Sequence, residues 1–243
     1  MQKDTQPLIS TLISADDFIP EGFLKEFSLR LALKIPLLTF SENDLCIDKT
    51  RPLDLGLFKS ISNGYFQNYK IVEEITDELL NRFKSSNFFN SAFGTSANRI
   101  ALHVRYGDYV SNSKNRSIYG TINPEYYVSS VKFLMSELGI NKATIFSDNP
   151  KFALSNLTPG LSSIPNLSVE VYSSSTSEDF NQIALSKGVV ISNSTFAWWA
   201  GWLGHIHNST RVIYPSPWFS TPQLTNSDFA WPTWNPMIRS LDL

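Results

Sequence analysis

Short apolar blocks punctuate the chain from about residue 97 onward, and their spacing alternates between two periods. Arg99-Ile100-Ala101-Leu102-His103-Val104, Ala143-Thr144-Ile145-Phe146-Ser147, Ser168 to Tyr172, Val189-Val190-Ile191-Ser192 and Arg211-Val212-Ile213-Tyr214 each read as a short buried strand. Helical spacing fills the gaps between them. Asn123 and Pro124 suit a cap and first position, and Val128, Val131, Leu134, Met135 and Leu138 recur on one face before Gly139 stops the run. Asp148-Asn149-Pro150 opens a short helix to about Ser155. Ser177 is placed to cap a helix from Glu178 to Lys187, with Phe180, Ile183 and Ala184 inward and Gly188 closing it. Phe196 to Gly204 makes a Trp-rich helix, and a Pro-rich tail follows Pro215. Strands alternating with helices predict a doubly wound parallel sheet over residues 96–243.

Residues 1–95 are less regular and read as a partial N-terminal half, with an amphipathic helix near Ile71 to Phe83 carrying Ile71, Ile75, Leu79 and Leu80 on one face. The polar stretch from Lys84 through Ala97 marks the expected boundary. Composition adds exclusions. A formal charge of -2, from 20 basic and 22 acidic residues, supplies no broad field for nucleic acid, so any grip on phosphate must be local. Cys46 is the one cysteine, which excludes an internal disulfide and, with 3 His, the usual zinc frameworks. No signal-like start and no apolar run of about 18 residues is present, so the expected compartment is the cytoplasm.

Ligands of doubly wound sheets sit beyond the carboxyl ends of the strands. His103-Val104-Arg105-Tyr106-Gly107-Asp108-Tyr109 places a guanidinium there, with Gly107 for a sharp turn and Asp108 to hold the fork. Such an arginine can clamp a diphosphate, although an ordinary ion pair would use the same residues. At Ser192-Asn193-Ser194-Thr195-Phe196, a strand end meets a helix start, where Ser194 or Thr195 and main-chain N–H groups attract an anion or simply cap the helix. Glu178-Asp179 offers a carboxylate that could accept the hydrogens of guanine N1 and N2, or favour the helix dipole. Asp148 is read as a helix cap, Trp198, Trp199 and Trp202 as core, and His205 with His207 as a helix-end feature. Dinucleotide, P-loop, zincin and hydrolase-elbow signatures are absent, and so is an Asp-x-Asp metal anchor.

The segment around Arg105 resembles the HxRRGDY motif of alpha-1,2-fucosyltransferases of glycosyltransferase family 11. Glu178-Asp179-Phe180 and Ser192 to Leu203 are similar to that family's acidic pair and SNSTFSWWAAWL motif, and Gly64-Tyr65-Phe66-Gln67 to its GYFQ segment. The resemblance implies a GT-B-like α/β fold of two Rossmann-like halves with parallel sheets, the N-terminal one incomplete here. It further implies inverting, metal-independent transfer of L-fucose from GDP-fucose to a galactose-containing glycan, with no cofactor and no nucleic acid. A lipid-linked acceptor would bring the chain to the inner membrane face. Arg105 then carries over as the donor-phosphate arginine, Ser194 and Thr195 as phosphate contacts, Asp179 as the base-contacting carboxylate and His103 as a backbone or base contact. No residue is singled out as the base for the acceptor hydroxyl; Asp108 is one candidate, and holding Arg105 is its other role. Two departures stand out. Tyr106 replaces the second arginine, and nothing from Met1 to Phe40 matches the family's GGLGNQ segment, so the chain reads as a fragment or as having a rebuilt first half. A related transferase using another sugar nucleotide, and an inactive nucleotide- or glycan-binding remnant, are the alternative readings.

Overall fold

The computed structural model describes residues 39–41, 61–63, 67–85, 89–107, 113–221 and 228–240. Cys46 and Gly64 to Phe66 lie outside the described residues. The chain divides into two compact units, Met1–Arg82 and Phe83–Leu243. The division precedes the polar stretch that marks the boundary in the sequence, because Phe83 and Phe89 belong to the aromatic core of the second unit. Their rings lie 4.2 Å apart, with Phe180 4.9 Å from Phe89 and Trp202 5.5 Å from Phe83.

In the first unit, β1 (Thr39–Ser41) pairs in parallel with β2 (Ile61–Asn63). The expected single helix is two, α1 (Tyr69–Glu74) and α2 (Thr76–Ser85), interrupted at Ile75. Val72 and Leu79 are buried, as is Phe83, which already belongs to the second unit, whereas Ile75 is exposed and Leu80 half-buried. Val72, Leu79 and Phe83, seven and four residues apart, keep one helical face, so the expected face holds at Leu79 but not at Ile75 or Leu80, and the Ile71 side chain lies outside the described residues.

The second unit is a parallel α/β layer structure. Its elements run β3 (Ala97–Val104), α3 (Ser113–Tyr119), α4 (Pro124–Leu138), β4 (Lys142–Ser147), α5 (Pro150–Leu161), β5 (Ser168–Tyr172), α6 (Thr176–Ala184), β6 (Ser186–Val190), α7 (Thr195–Asn208), β7 (Arg211–Ser216) and β8 (Asn235–Ile238). Among the described residues the sheet order is β5-β4-β3-β6-β7-β8, every neighbouring pair parallel. The chain thus steps outward from β3 through β5, returns along α6, and restarts on the other side of β3 with β6. That reversal is the topological switch point.

Strand period explains how β3 serves both faces. Ile100, Leu102 and Val104 join Val131 and Leu134 of α4 and Leu157 of α5 in one buried cluster. His103, on the opposite face, meets Phe196 of α7 with ring centroids 5.5 Å apart. On that second face Phe180, Trp198 and Trp202 are fully buried, and truncating such a tryptophan to Ala would cost about 3–5 kcal/mol.

Several boundaries differ from the sequence reading, each for a packing reason. Helix α5 runs on to Leu161 through Pro159, because Leu157 and Leu161 are buried and extend its apolar face. Helix α6 is capped by Ser175, whose hydroxyl accepts from Glu178 N–H at 3.2 Å, and it ends at Ala184. Gly188 does not close it. It sits inside β6 opposite Ile100, where a Cβ would stand 3.1 Å from both Leu134 and Leu138. Strand β8 lies where only a Pro-rich tail is expected; as an edge strand it tolerates Pro236, which cannot donate to a ladder. The segment after β3, expected to be a loop through Thr121, contains α3.

Helix α7 also outruns its expected end at Gly204 and stops at Asn208, with Ser209 in the left-handed region at φ 55°. Gly204 is instead a point of close approach, since a Cβ there would lie 2.6 Å from the Ala184 carbonyl oxygen. Gly204→Ala gains up to about 1 kcal/mol of helix propensity. It forces backbone apart at the same time, so urea denaturation should show a net loss of about 1–3 kcal/mol. A stabilised variant would refute this account of the α6–α7 contact.

Candidate functional site

The carboxyl ends of β3, β4 and β6 carry most of the residues singled out in the sequence, and two buried tyrosines of α4 help set their positions. Tyr127 donates its hydroxyl to the His103 carbonyl at 3.3 Å, and Tyr126 donates to the Ile191 carbonyl at 2.7 Å. Carbonyls at the ends of β3 and β6 are thereby bonded inside the protein. Across the switch point, His103 Nδ1 lies 2.8 Å from Ser192 Oγ. This bond joins β3 directly to the segment leaving β6.

The same segment is anchored from the other side. Asn193 Nδ2 donates to the Tyr119 carbonyl at 2.7 Å and to the Trp218 carbonyl at 3.3 Å. The buried Arg239 guanidinium holds the same loops, donating to the carbonyls of Pro217 at 2.7 Å, Trp218 at 3.2 Å and Thr121 at 3.3 Å. Ser194 is the N-cap of α7 and is buried, yet its side chain makes no capping hydrogen bond. The first turn of α7 contributes N–H groups that the helix itself cannot satisfy, at the positive end of its dipole.

Arg105 follows the last residue of β3 and is about one-quarter exposed, with Nη1 3.3 Å from Asp148 Oδ2. Asp108, expected to hold that guanidinium, lies outside the described residues. Asp148 is not the cap of α5. Asn149 is, its Oδ1 accepting from Phe152 N–H at 3.3 Å. Asp148 accepts from the main chain of Tyr106 and Gly107 instead. Gly107 favours this approach and is not in a left-handed turn; a Cβ would fall 2.5 Å from Asp148 Oδ2 and would push that carboxylate aside.

Asp179 stands in the first turn of α6, where its Oδ1 accepts from Ser174 N–H at 3.1 Å. It ties the loop after β5 to the helix. Trp198, Trp199 and Trp202 are core, and His205 with His207 occupy the last turn of α7. Among the described residues no three of His, Cys, Asp and Glu gather where they could share a metal ion. No helix among the described residues is long and apolar enough to cross a membrane.

Ser192, Asn193, Tyr127 and Arg239 escaped the sequence reading as parts of the site. Ser192 and Asn193 did carry a signal, since both lie in the strand-end segment beside the switch. The others act from a distance in sequence, through carbonyls that periodicity cannot see.

Fold and site together define a doubly wound, Rossmann-like α/β protein with polar residues gathered at its switch point. Glycosyl transferase family 11 matches residues 50–237, and the chain belongs to that family. It is 25% identical over 210 residues to the O-antigen biosynthesis glycosyltransferase WbnK of Escherichia coli, covering 84% of this chain and 63% of that protein. It is 28% identical over 171 residues to an alpha-1,2-colitosyltransferase of Escherichia coli, covering 68% of this chain and 58% of the relative. The chain thus spans less than two thirds of either relative's length. Among solved structures, POFUT1 in complex with GDP superposes with a TM-score of 0.40 at 11% identity, over 60% of this chain and 57% of that one.

Burial depresses the His103 pKa from 6.5 to about 4, outweighing the opposing attraction of Asp148, while the Arg105 charge depresses it further. Unfolding restores the ordinary value, so the unfolded chain binds the extra proton first. Stability from the neutral imidazole is complete above pH 6.5 and is lost as pH falls towards 4, by about 3 kcal/mol at most. His205, also lowered by burial, acts in the same direction. Denaturant melts between pH 7 and 4 should show a shallower pH slope for His103→Gln than for the wild type; equal slopes would contradict the assignment.

Proposed function

We propose that this chain binds GDP-fucose and transfers L-fucose, with inversion, to the hydroxyl of a galactose-containing glycan, in an alpha-1,2 linkage. The observation that carries the reading is Arg105 at the end of β3, beside the switch point where His103 meets the Ser192 segment that leads into α7. As the acceptor oxygen bonds to the anomeric carbon and the glycosidic bond to the diphosphate breaks, negative charge gathers on GDP. Arg105 and the N-terminal turn of α7, with Ser194 and Thr195, oppose that charge. One such preorganised donor is worth roughly 2.7–4 kcal/mol in the transition state.

Charge stabilisation by protein groups makes the reaction metal-independent in this reading. Asp179 takes the guanine N1 and N2 hydrogens, and His103 lines the nucleotide side as a neutral imidazole. Asp108 remains the candidate base. A second reading has its own support, because one relative is named an alpha-1,2-colitosyltransferase. In that reading the same phosphate and base contacts hold a colitose donor, and only the sugar differs.

Calorimetry in EDTA should detect GDP binding by the unsubstituted chain, weakened roughly ten- to hundredfold by Arg105→Ala. Arg105→Lys should restore little, since a point charge does not reproduce a planar fork. Wild-type affinity in the Ala variant, or binding that returns only with magnesium or manganese, would refute the clamp. Supplying GDP-fucose and a colitose donor separately to galactosides then distinguishes the two sugar readings.

For the base, Asp179→Asn should narrow the preference for GDP over ADP by about 1–3 kcal/mol, because a carboxamide cannot accept both guanine N–H groups. Loss of the Ser174 contact would affect both nucleotides alike. A wild-type chain that binds GDP and ADP equally removes Asp179 from this role.

A further inference from the structure

The turn that carries Arg105 is held by one carboxylate from the neighbouring strand. Asp148 Oδ1 accepts from Tyr106 N–H at 3.0 Å and Oδ2 from Gly107 N–H at 2.9 Å, while Arg105 Nη1 lies 3.3 Å from Oδ2. Two consecutive main-chain amides and the preceding side chain are thus gathered at a single group. Register makes this possible, because Val104 stands opposite Ser147 and both strands deliver their next residues at one level. The Tyr106 side chain is pinned in turn, its hydroxyl accepting from Asn156 Nδ2 and its ring meeting Phe152 edge-on at 4.7 Å.

Solvent reaches both side chains of this ion pair, so it adds little to stability. The two amide bonds do something else. They fix the direction in which the chain leaves β3, and hence where the guanidinium sits. We propose that Asp148 is a positioning residue for the donor diphosphate, acting through Arg105 and not by contact with the nucleotide base. The proposal rests on the reading that Arg105 meets the diphosphate.

The test measures binding of GDP, inorganic pyrophosphate and guanosine to the full chain and to Asp148→Asn, Arg105→Ala and the double variant. Asp148→Asn removes an acceptor and the charge while keeping the volume. It should weaken GDP and pyrophosphate about tenfold and leave guanosine unchanged. Added to Arg105→Ala it should cause no further loss, since the two act as one unit. Unchanged or tighter GDP binding, an equal loss for guanosine, or full additivity would each overturn the proposal. If Arg105→Ala itself leaves GDP binding intact, the donor reading falls; if it weakens GDP and Asp148→Asn does not, only the positioning role falls. Should Asp148→Asn fail to fold, Gly107→Ala disturbs the same contact from an exposed position, its Cβ meeting Oδ2 at 2.5 Å, and the same pattern is expected of it.

Discussion

An open parallel sheet offers a ligand site where its strand order reverses, and here that place exists because β6 pairs with β3 although β4 and β5 intervene in sequence. The His103 to Ser192 hydrogen bond lies on that seam. Its cost is a buried imidazole, neutral because desolvation outweighs the nearby carboxylate. Its effect is to fix the first residues beyond β6 relative to β3, with Tyr126 and Tyr127 of α4 binding the flanking carbonyls from the other face. The start of α7 and the turn bearing Arg105 inherit their positions from that set of bonds.

Electrostatics at the seam follow from the same geometry. Arg105 and Asp148 are each about one-quarter exposed, so solvent screens their attraction and little stability comes from it. Orientation is the larger consequence. A guanidinium presented on a turn held by two amide bonds is arranged before any anion arrives, so little reorganisation is left for the binding step.

Much of the second unit was legible in the sequence, because β3, β4, β6 and β7 are largely buried and read as apolar runs, and because Asn123-Pro124 and Gly139 bracket α4 as local chemistry dictates. Local sequence misleads where one residue type serves two purposes. Gly188 and Gly204 look like helix stops but are points where side chains or backbone come close, which depends on partners remote in sequence. Strand β8 was hidden by Pro236, whose missing donor is harmless only at an edge that topology defines. Within the site, the positions of His103, Arg105, Ser194 and Thr195 at strand and helix ends followed from period alone. Asp148 did not, since its contacts depend on the register of β3 against β4, and a residue beside a proline-opened helix resembles a cap.

Tyr106 shows how far such an arrangement constrains substitution. In the motif that the segment resembles, this position is a second arginine, yet here the side chain is buried in the cluster formed by α4, α5 and the sheet. Its hydroxyl is bonded by Asn156 and its ring lies against Phe152. A guanidinium in that position would need a counter-charge or water in place of an aromatic contact. The position therefore packs the turn, and in the proposed donor site the cationic part rests on Arg105, whose alternation along the strand end carries it away from the core that receives Tyr106. Under the proposed function, rigidity would offset the missing charge, because a turn fixed through the main-chain N–H groups of residues 106 and 107 and through the Tyr106 ring leaves one arginine little freedom to lose on binding.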